Sequence, residues 1–456
     1  MNSNAVANSA PKRGILIAGS IGSLVDWYNF FVALTAAAIV FPAIFFPTSV
    51  SPIVATAVSV ATVGITYASR LVGAVLFGHF GDKIGRRSTL FATLLLGVIS
   101  ALGIGLTPGY SSFGYAALGL IIFFRLLYGI GLGGEFGAAT TWIGEHANDI
   151  KHRTLWSMMP MQMSLVGASM AVMTFATLLG YTSHSFFVTT GWRYAFYITA
   201  AMAAIGLVIR YYFSESPLFE RQKAKKIEKV PLIPLFKYNW KNIMLYGLSF
   251  LIAIATVTII LIPYTEIKME AAAVHSGMGA FVALFYLALA LLLSVIPSTL
   301  SYLVSDKIGR VNALLIANVG TGIFVFPFLF VINGTTSLPL MALVVMVLYS
   351  FSTSGNGGIP MLLLESFDTK YRVSGMGITY QMSAVYAGIV TGIVVPAVVV
   401  AYGGYANAGV GMASILLALC ILGAITAVVI KATSMKSFKR DLNKDEEALP
   451  AASSGN

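Results

Sequence analysis

Charge is scarce in this chain. Asp, Glu, Lys and Arg make up only 10% of its 456 residues, where a soluble globular protein carries roughly 25%. That shortage argues against a water-soluble enzyme. Cysteine is nearly absent as well. The single one, Cys420, lies in an apolar run, which rules out an internal disulfide framework and a multi-cysteine zinc site. The five histidines are dispersed and form no metal-binding set. No nucleotide-binding domain is legible, which argues against an ATP-driven pump. What the chain has in abundance is apolar surface. Hydrophobic residues make up 57% of it, the mean hydropathy is +0.85, and there are 44 glycines. This suits a polytopic helical membrane protein, in which small residues let helices approach closely.

The polar residues 1–13 end in Lys12 and Arg13. The apolar run from Gly14 outlasts the core of a cleaved secretory signal, so it reads as a retained first span. Twelve segments of spanning length follow one another, at 14–46, 52–79, 88–107, 113–139, 154–180, 192–213, 242–264, 276–304, 311–332, 338–364, 373–401 and 407–431. They are numbered spans 1 to 12. Several exceed the roughly 20 residues that cross a bilayer, and Pro160, Pro297, Pro327, Pro360 and Pro396 mark candidate kinks. With a cytoplasmic N-terminus, 24 of the 28 basic residues fall in the tails and alternate loops on that side. The positive-inside rule then puts both termini in the cytoplasm of an inner or plasma membrane protein. The same distribution accounts for the net charge of +11 without nucleic acid. The basic stretch 221–229 reads as a solvated linker near the lipid headgroups.

A repeat organises the spans. The loop Gly81-Asp82-Lys83-Ile84-Gly85-Arg86-Arg87 returns as Ser305-Asp306-Lys307-Ile308-Gly309-Arg310, 224 positions on. The loops from Glu145 to Arg153 and from Glu365 to Arg372 recur at offsets of 220 and 219. The expected fold is therefore all-α, with twelve transmembrane helices in two pseudo-symmetric six-helix bundles. The bundles cover 1–213 and 241–431, joined by a cytoplasmic linker at 214–240 and followed by a cytoplasmic tail at 432–456. Such parallel repeats place a substrate site near the midplane between the halves.

These residues resemble the signatures of the major facilitator superfamily. Gly78 to Arg87 is similar to its Gly-x-x-x-Asp-Arg/Lys-x-Gly-Arg-Arg loop, and Arg125-x-x-x-Gly129 to its arginine signature in span 4. More specifically, the chain resembles the metabolite:proton symporters, a group that includes permeases for α-ketoglutarate, shikimate, citrate and proline/betaine. The resemblance lies in Asp26-Trp27-Tyr28-Asn29-Phe30, in Arg70-Leu71-Val72-Gly73 leading to Gly78-His79-Phe80-Gly81-Asp82, in Gly131-Leu132-Gly133-Gly134-Glu135 and in Tyr380-Gln381. It covers essentially the whole chain. It departs at Asn29, where the family usually has a second acid, and at Tyr128, where it often has Gln. It implies a major facilitator fold whose central cavity is lined by spans 1 and 4.

A charge within a span is expensive and usually functional. Counted along the helices, Asp26, Arg70 and Arg125 lie about 20 Å from the cytoplasmic ends of spans 1, 2 and 4, near mid-membrane. One acid and two arginines leave a positive centre, for which an anionic substrate is the natural partner. The bland alternatives are that Arg70 bonds helix carbonyls and that Asp26 and Arg125 form a quiet ion pair. In the functional reading, a substrate carboxylate competes for the arginine and lets Asp26 take up a proton, so Asp26 and Arg125 couple protons to substrate. Tyr28 and Asn29 beside Asp26, and Asn356, Tyr380, Gln381 and Tyr264 in the second half, are candidate substrate contacts. Helix–helix hydrogen bonding or packing is the alternative for each.

Nearer the cytoplasm, the resemblance implies that Glu135 pairs with the loop arginine, Arg86. Asp82, Arg86 and Glu135 then form a latch, with Asp82 able to face a helix N-terminus of the other half. Asp306 and Arg310 repeat the latch. Glu145 with Arg153 and Glu365 with Arg372 are expected gate pairs, individually weak. The pattern Gly-x-Gly-x-x-Gly at 129–134 lies inside an apolar span with no preceding strand, so it reads as helix packing rather than a nucleotide site.

The expectation is a non-enzymatic secondary transporter, expected to be monomeric, that needs no cofactor beyond protons. It imports a small organic anion, such as a mono- or dicarboxylate, by alternating access. Proton symport of a zwitterion such as betaine or proline, or proton-linked efflux, are the alternatives.

Overall fold

The computed structural model describes residues 12–146, 150–212, 232–256, 263–355, 358–367 and 372–434. Among them there is no strand. Span 1 is Lys12–Ile39, span 2 Pro52–Ile84, span 3 Arg86–Leu106, span 4 Tyr115–His146, span 5 Ile150–Tyr181 and span 6 Trp192–Tyr211. In the second half, span 7 is Leu232–Thr256 and Pro263–His275, and span 8 is Ala280–Leu293 and Val295–Ile308. Span 9 is Arg310–Gly334, span 10 Leu338–Ser354 and Ile359–Ser366, span 11 Arg372–Ile389 and Val395–Ala401, and span 12 Gly409–Ser434. Among the described residues, eleven helical stretches are long and apolar enough to cross a membrane.

Local chemistry explains several boundaries. Ser51 accepts the Val54 amide at 3.3 Å and Pro52 opens span 2, an N-cap followed by a pre-set first turn. Gly85 and Gly309 turn the chain between spans 2 and 3 and spans 8 and 9 with φ of 119° and 91°. They hold the same place in the two copies of the repeat, and left-handed backbone is the reason glycine stands there. This side of the molecule is called the turn face below, and its opposite the far face. Pro160 and Pro327 lie inside continuous helices. Pro297, Pro360 and Pro396 each follow an interruption in spans 8, 10 and 11.

The structure moves three expected boundaries. Span 4 was expected to end at 139 but runs to His146. Span 7 begins at Leu232, inside the expected linker, and Trp240 there is 54% exposed with the Lys241 ammonium 5.7 Å from its ring, an interfacial pairing. At its other end, the charges at 266–270 depress hydropathy, yet Pro263–His275 is helical and Glu266 is buried. The linker residues 213–231 and the tail residues 435–456 lie outside the described residues.

Packing is turned outward. Phe330 is 80% exposed and Ile323 70%, while Arg70, Arg86, Arg125, Arg210 and Arg372 are fully buried. Water would not stabilise that arrangement and lipid would. Inside, backbones touch. A Cβ added at Gly73 would lie 2.0 Å from the Ile130 carbonyl oxygen, and one at Gly133 2.0 Å from that of Arg70. Spans 2 and 4 are thereby in van der Waals contact along their backbones. Across the halves, span 2 packs on span 11 and span 5 on span 8.

Gly133→Val is expected to destabilise the detergent-solubilised protein by at least about 1–3 kcal/mol, visible as a lowered melting temperature. Gly119→Ala is the control. Its added Cβ meets nothing within 4 Å, so its melting temperature should be no lower than that of the parent.

Candidate substrate and proton site

Spans 1, 2, 4, 5 and 11 line a narrow central cleft, bounded by Ser23, Asp26, Trp27, Arg70, Leu132, Glu135, Phe136, Pro160, Met161 and Tyr380. On the turn-face side, Phe136 of span 4 and Tyr380 of span 11 stack at 3.9 Å between ring centroids. This stack joins the halves beneath the cleft. On the far-face side, Thr35 of span 1 donates to Glu266 of span 7 at 3.2 Å. The halves therefore touch at both ends, with the cleft between them.

Arg70 is 1% exposed. Its guanidinium carbon lies 5.3 Å from the Tyr67 ring, 5.7 Å from Trp27 and 5.8 Å from Tyr380. Rings at such distances attract a cation. Its Nε and Nη1 have no hydrogen-bond partner. Asp26 is 3% exposed. Among the described residues no salt bridge or hydrogen bond reaches its carboxylate; only its backbone carbonyl is engaged, by the Tyr128 hydroxyl. The charged groups that act on it are Glu135, Arg210 and Arg70.

Arg210, at the end of the first bundle and among the basic residues assigned to the cytoplasmic side, is buried by the structure. It closes span 6, is 1% exposed, and grips Glu135 with both terminal nitrogens, Nη1 to Oε2 at 3.2 Å and Nη2 to Oε1. Its Nη1 also donates to the Leu90 carbonyl at 2.5 Å, while Thr93 donates to Glu135 at 2.9 Å. A Cβ on Gly22 of span 1 would fall 1.7 Å from Arg210 Nη2 and 2.6 Å from Glu135 Oε1. The absence of a side chain at position 22 is what lets this ion pair lie against span 1, one turn below Asp26. The expected Glu135–Arg86 pairing is corrected accordingly. Arg86 opens span 3, about 10 Å short of the level of Thr93 that Glu135 occupies, and its Nη1 donates to the Gly81 carbonyl at 3.3 Å.

Arg125 is also displaced from its expected partner. The added length of span 4 carries it about 10 Å farther from the turn face than the count to residue 139 implied. It is fully buried, level with Ala33, whose carbonyl accepts from its Nη2 at 2.7 Å; its Nε and Nη1 have no partner. The structure thus brings Asp26 together with Arg70, Glu135 and Arg210, not with Arg125. Tyr28 faces span 5, its hydroxyl 3.0 Å from that of Thr174. Asn29 is buried with Oδ1 unpartnered, outside the lining of the cleft. Gln381 donates to the Gly133 carbonyl at 3.2 Å, a bond between halves. Tyr264 bonds Asn333 at 2.9 Å. Asn356 lies outside the described residues.

At the turn face, Asp82 caps span 11. It accepts from the amides of Val373 at 3.2 Å and Ser374 at 3.0 Å, and from the Ser374 hydroxyl at 2.6 Å. A carboxylate at a helix N-terminus is favourable, and this one belongs to the opposite half. In the second copy of the repeat, Arg310 bonds Glu365 at 2.7 Å and lies 3.9 Å from Asp306. The expected partner of Glu365 was Arg372, whose Nε donates to the Phe367 carbonyl at 3.3 Å. The side chains of Glu145 and Arg153 lie outside the described residues.

Residues 16–392 match the profile of the Major Facilitator Superfamily. The chain is 35% identical over 382 residues to the inner membrane metabolite transport protein YhjE of Escherichia coli, covering 82% of this chain and 85% of that one. It is 28% identical to the shikimate transporter of the same organism, over 90% of this chain and 92% of the other. It is likewise 28% identical to a putative proline/betaine transporter of Staphylococcus haemolyticus, over 96% and 91%. Among solved structures, the proton:xylose symporter XylE bound to 6-bromo-6-deoxy-D-glucose superposes with a TM-score of 0.73 at 18% identity, covering 93% of this chain and 96% of that one.

The buried pair makes a prediction. Glu135→Ala leaves Arg210 buried without its carboxylate and should cost about 3–5 kcal/mol. Replacing both partners together, Glu135→Leu with Arg210→Met, should recover most of that loss in thermal unfolding.

Proposed function

Because the chain belongs to the Major Facilitator Superfamily, with relatives in its metabolite:proton symporter branch, we propose that it is a proton-coupled secondary transporter. It imports a small organic anion by alternating access, acts as a monomer, and uses no cofactor other than protons. Its turn face is the cytoplasmic one.

One observation carries the reading: a fully buried guanidinium with two unpartnered nitrogens faces a cleft that also contains a carboxylate free of any salt bridge. Charge counting shows what this can do. Glu135 and Arg210 neutralise each other, which leaves Asp26 and Arg70. Empty and ionised, Asp26 balances Arg70. With Asp26 protonated, Arg70 keeps one positive charge, which a substrate carboxylate cancels through two parallel hydrogen bonds. Anion without proton, or proton without anion, leaves a net charge in a buried site, which costs several kcal/mol. Proton and anion therefore favour each other's binding, as symport requires. The coupling acid stays Asp26, and its partner becomes Arg70 rather than Arg125.

The zwitterion reading draws on the proline/betaine relative. A cage for a quaternary ammonium needs free aromatic faces. Trp27, Tyr67 and Tyr380 already face Arg70, and Tyr28 is bonded to Thr174. The geometry therefore favours the anion.

The test is uptake into proteoliposomes, with and without an acid-outside gradient, of a labelled panel: mono- and dicarboxylates, shikimate-like hydroxy acids, aromatic acids, betaine and proline. One anion should accumulate with the gradient. Asp26→Asn should lose that accumulation yet retain exchange of the same anion. Arg70→Ala should weaken binding by about 30-fold or more, the loss typical of one truncated partner in a buried charge pair. Accumulation of betaine or proline alone would make Arg70 structural and overturn the anion reading.

A further inference from the structure

Another acid is buried on the far-face side of the protein, and the central site does not use it. Glu266 of span 7 is 1% exposed. It lies nine residues before His275, the end of its helix at the far face, so about 14 Å inside it. Its Oε1 accepts from Thr35 of span 1 at 3.2 Å, and its Oε2 is buried with no partner. The bond crosses between the halves. It sits on the far-face side of the cleft, opposite the Phe136–Tyr380 stack.

Among the described residues no salt bridge neutralises a charge on Glu266. On its own helix, Glu270 follows one turn on and acts on it as a like charge. The Lys268 ammonium is turned over the Tyr264 ring at 5.7 Å, and His275 closes the helix. The elements packed on this helix are spans 8, 9 and 10 and the turn Tyr405–Asn407. Their ionisable side chains are Tyr286 and Tyr302 of span 8, Tyr349 of span 10 and Tyr405 of the turn, with Asp306, Lys307 and Arg310 at the turn-face ends of spans 8 and 9 and Glu365 at that of span 10. In span 1, Asp26 lies about 13 Å back along the helix from Thr35. Span 4 brings Arg125 to the level of Ala33, where it donates to that carbonyl, and among the described residues no cation forms a salt bridge with the Glu266 carboxylate.

An ionised carboxylate sealed here, with one hydroxyl donor and an acidic neighbour, is unfavourable by several kcal/mol, whereas the neutral acid needs only the hydrogen bond it has. Contact with water on the far face would remove the penalty. We propose that Glu266 is a proton-sensing gate residue, neutral when spans 1 and 7 close over the far face and ionised when they part. The closed form thus binds one proton more than the open form. Closure is favoured at low pH and lost as pH rises, by up to tenfold in the gating equilibrium for each pH unit. In the import reading, on which the direction of this gate rests, the acid outer compartment drives loaded transporters shut. The proton on Glu266 returns to the side it came from, so it regulates the cycle without adding to the coupling proton on Asp26.

The experiment is hydrogen–deuterium exchange of the full chain in lipid nanodiscs, without substrate, read by mass spectrometry on peptides covering 30–46 and 263–279. After correction for the intrinsic pH dependence of exchange, opening of both segments should rise about threefold or more between pH 5.5 and 7.5. Glu266→Gln, which keeps the hydrogen bond without the charge, should hold both segments closed at either pH. Thr35→Val, which removes the donor but not the acid, should raise opening at pH 5.5 and preserve the pH response. A Glu266→Gln protein with the wild-type pH response, or a wild type with none, would overturn the proposal. The outcome is separable from the transport reading. If no panel solute is taken up by the wild type, the function fails while the exchange data still decide whether Glu266 gates the far face.

Discussion

The site depends on one imbalance: a buried arginine that its own protein does not fully satisfy. Arg70 is held by three aromatic rings, and two of its nitrogens find no acceptor. An unpaired guanidinium in a low-dielectric interior is costly, and a protein that needed only stability would replace it. Asp26 offsets that cost at a distance when it is ionised. On the proposed function, the arrangement is complete in two ways, with Asp26 charged, or with Asp26 protonated and an external carboxylate on Arg70. Two balanced states exchanged by co-binding of a proton and an anion are the thermodynamic content of symport.

Glycine makes this possible. Gly73 and Gly133 bring the backbones of spans 2 and 4 together beside Arg70, and Gly22 admits the Glu135–Arg210 pair against span 1. A side chain at any of these positions would push the helices apart and admit lipid or water to the charges. The glycine content that first suggested a membrane protein thus has specific work at the site. It keeps the dielectric low enough for a single proton to matter.

Much of this was legible in the chain. The Asp82 loop, repeated at Asp306, announced both the two-fold organisation and the cap that Asp82 places on span 11 in the opposite half, because its glycines and charges stand in fixed order. Asp26 and Arg70 stood out as charges within apolar runs. Arg210 did not, because it ends an apolar run next to a basic linker, and counting positive charges cannot tell a side chain facing headgroups from one folded back into the bundle. The Tyr211-Tyr212 pair after it was the available signal, since interfacial aromatics mark the membrane edge. Arg125 was misplaced because helical rise converts a boundary error of seven residues into about 10 Å. Glu266 was missed because a hydropathy window stops at a charge even where the helix does not.

The two halves divide the labour unequally. Those charges of the cleft all come from the first half, whereas the second half contributes Tyr380 to the cleft and Gln381 and the capped end of span 11 to the contacts between halves. A transporter that moves one bundle against the other gains from this. In alternating access of the kind proposed, the charged constellation would stay within one half and would not be rebuilt in each cycle. The moving partner carries neutral groups that can part from it cheaply, since hydrogen bonds and ring contacts exchange with water at about 1 kcal/mol each, far below the cost of separating a buried ion pair. The cap on span 11 is the exception, a charge that crosses the interface, and it lies at the turn face, where water can take the place of its partners when the halves separate.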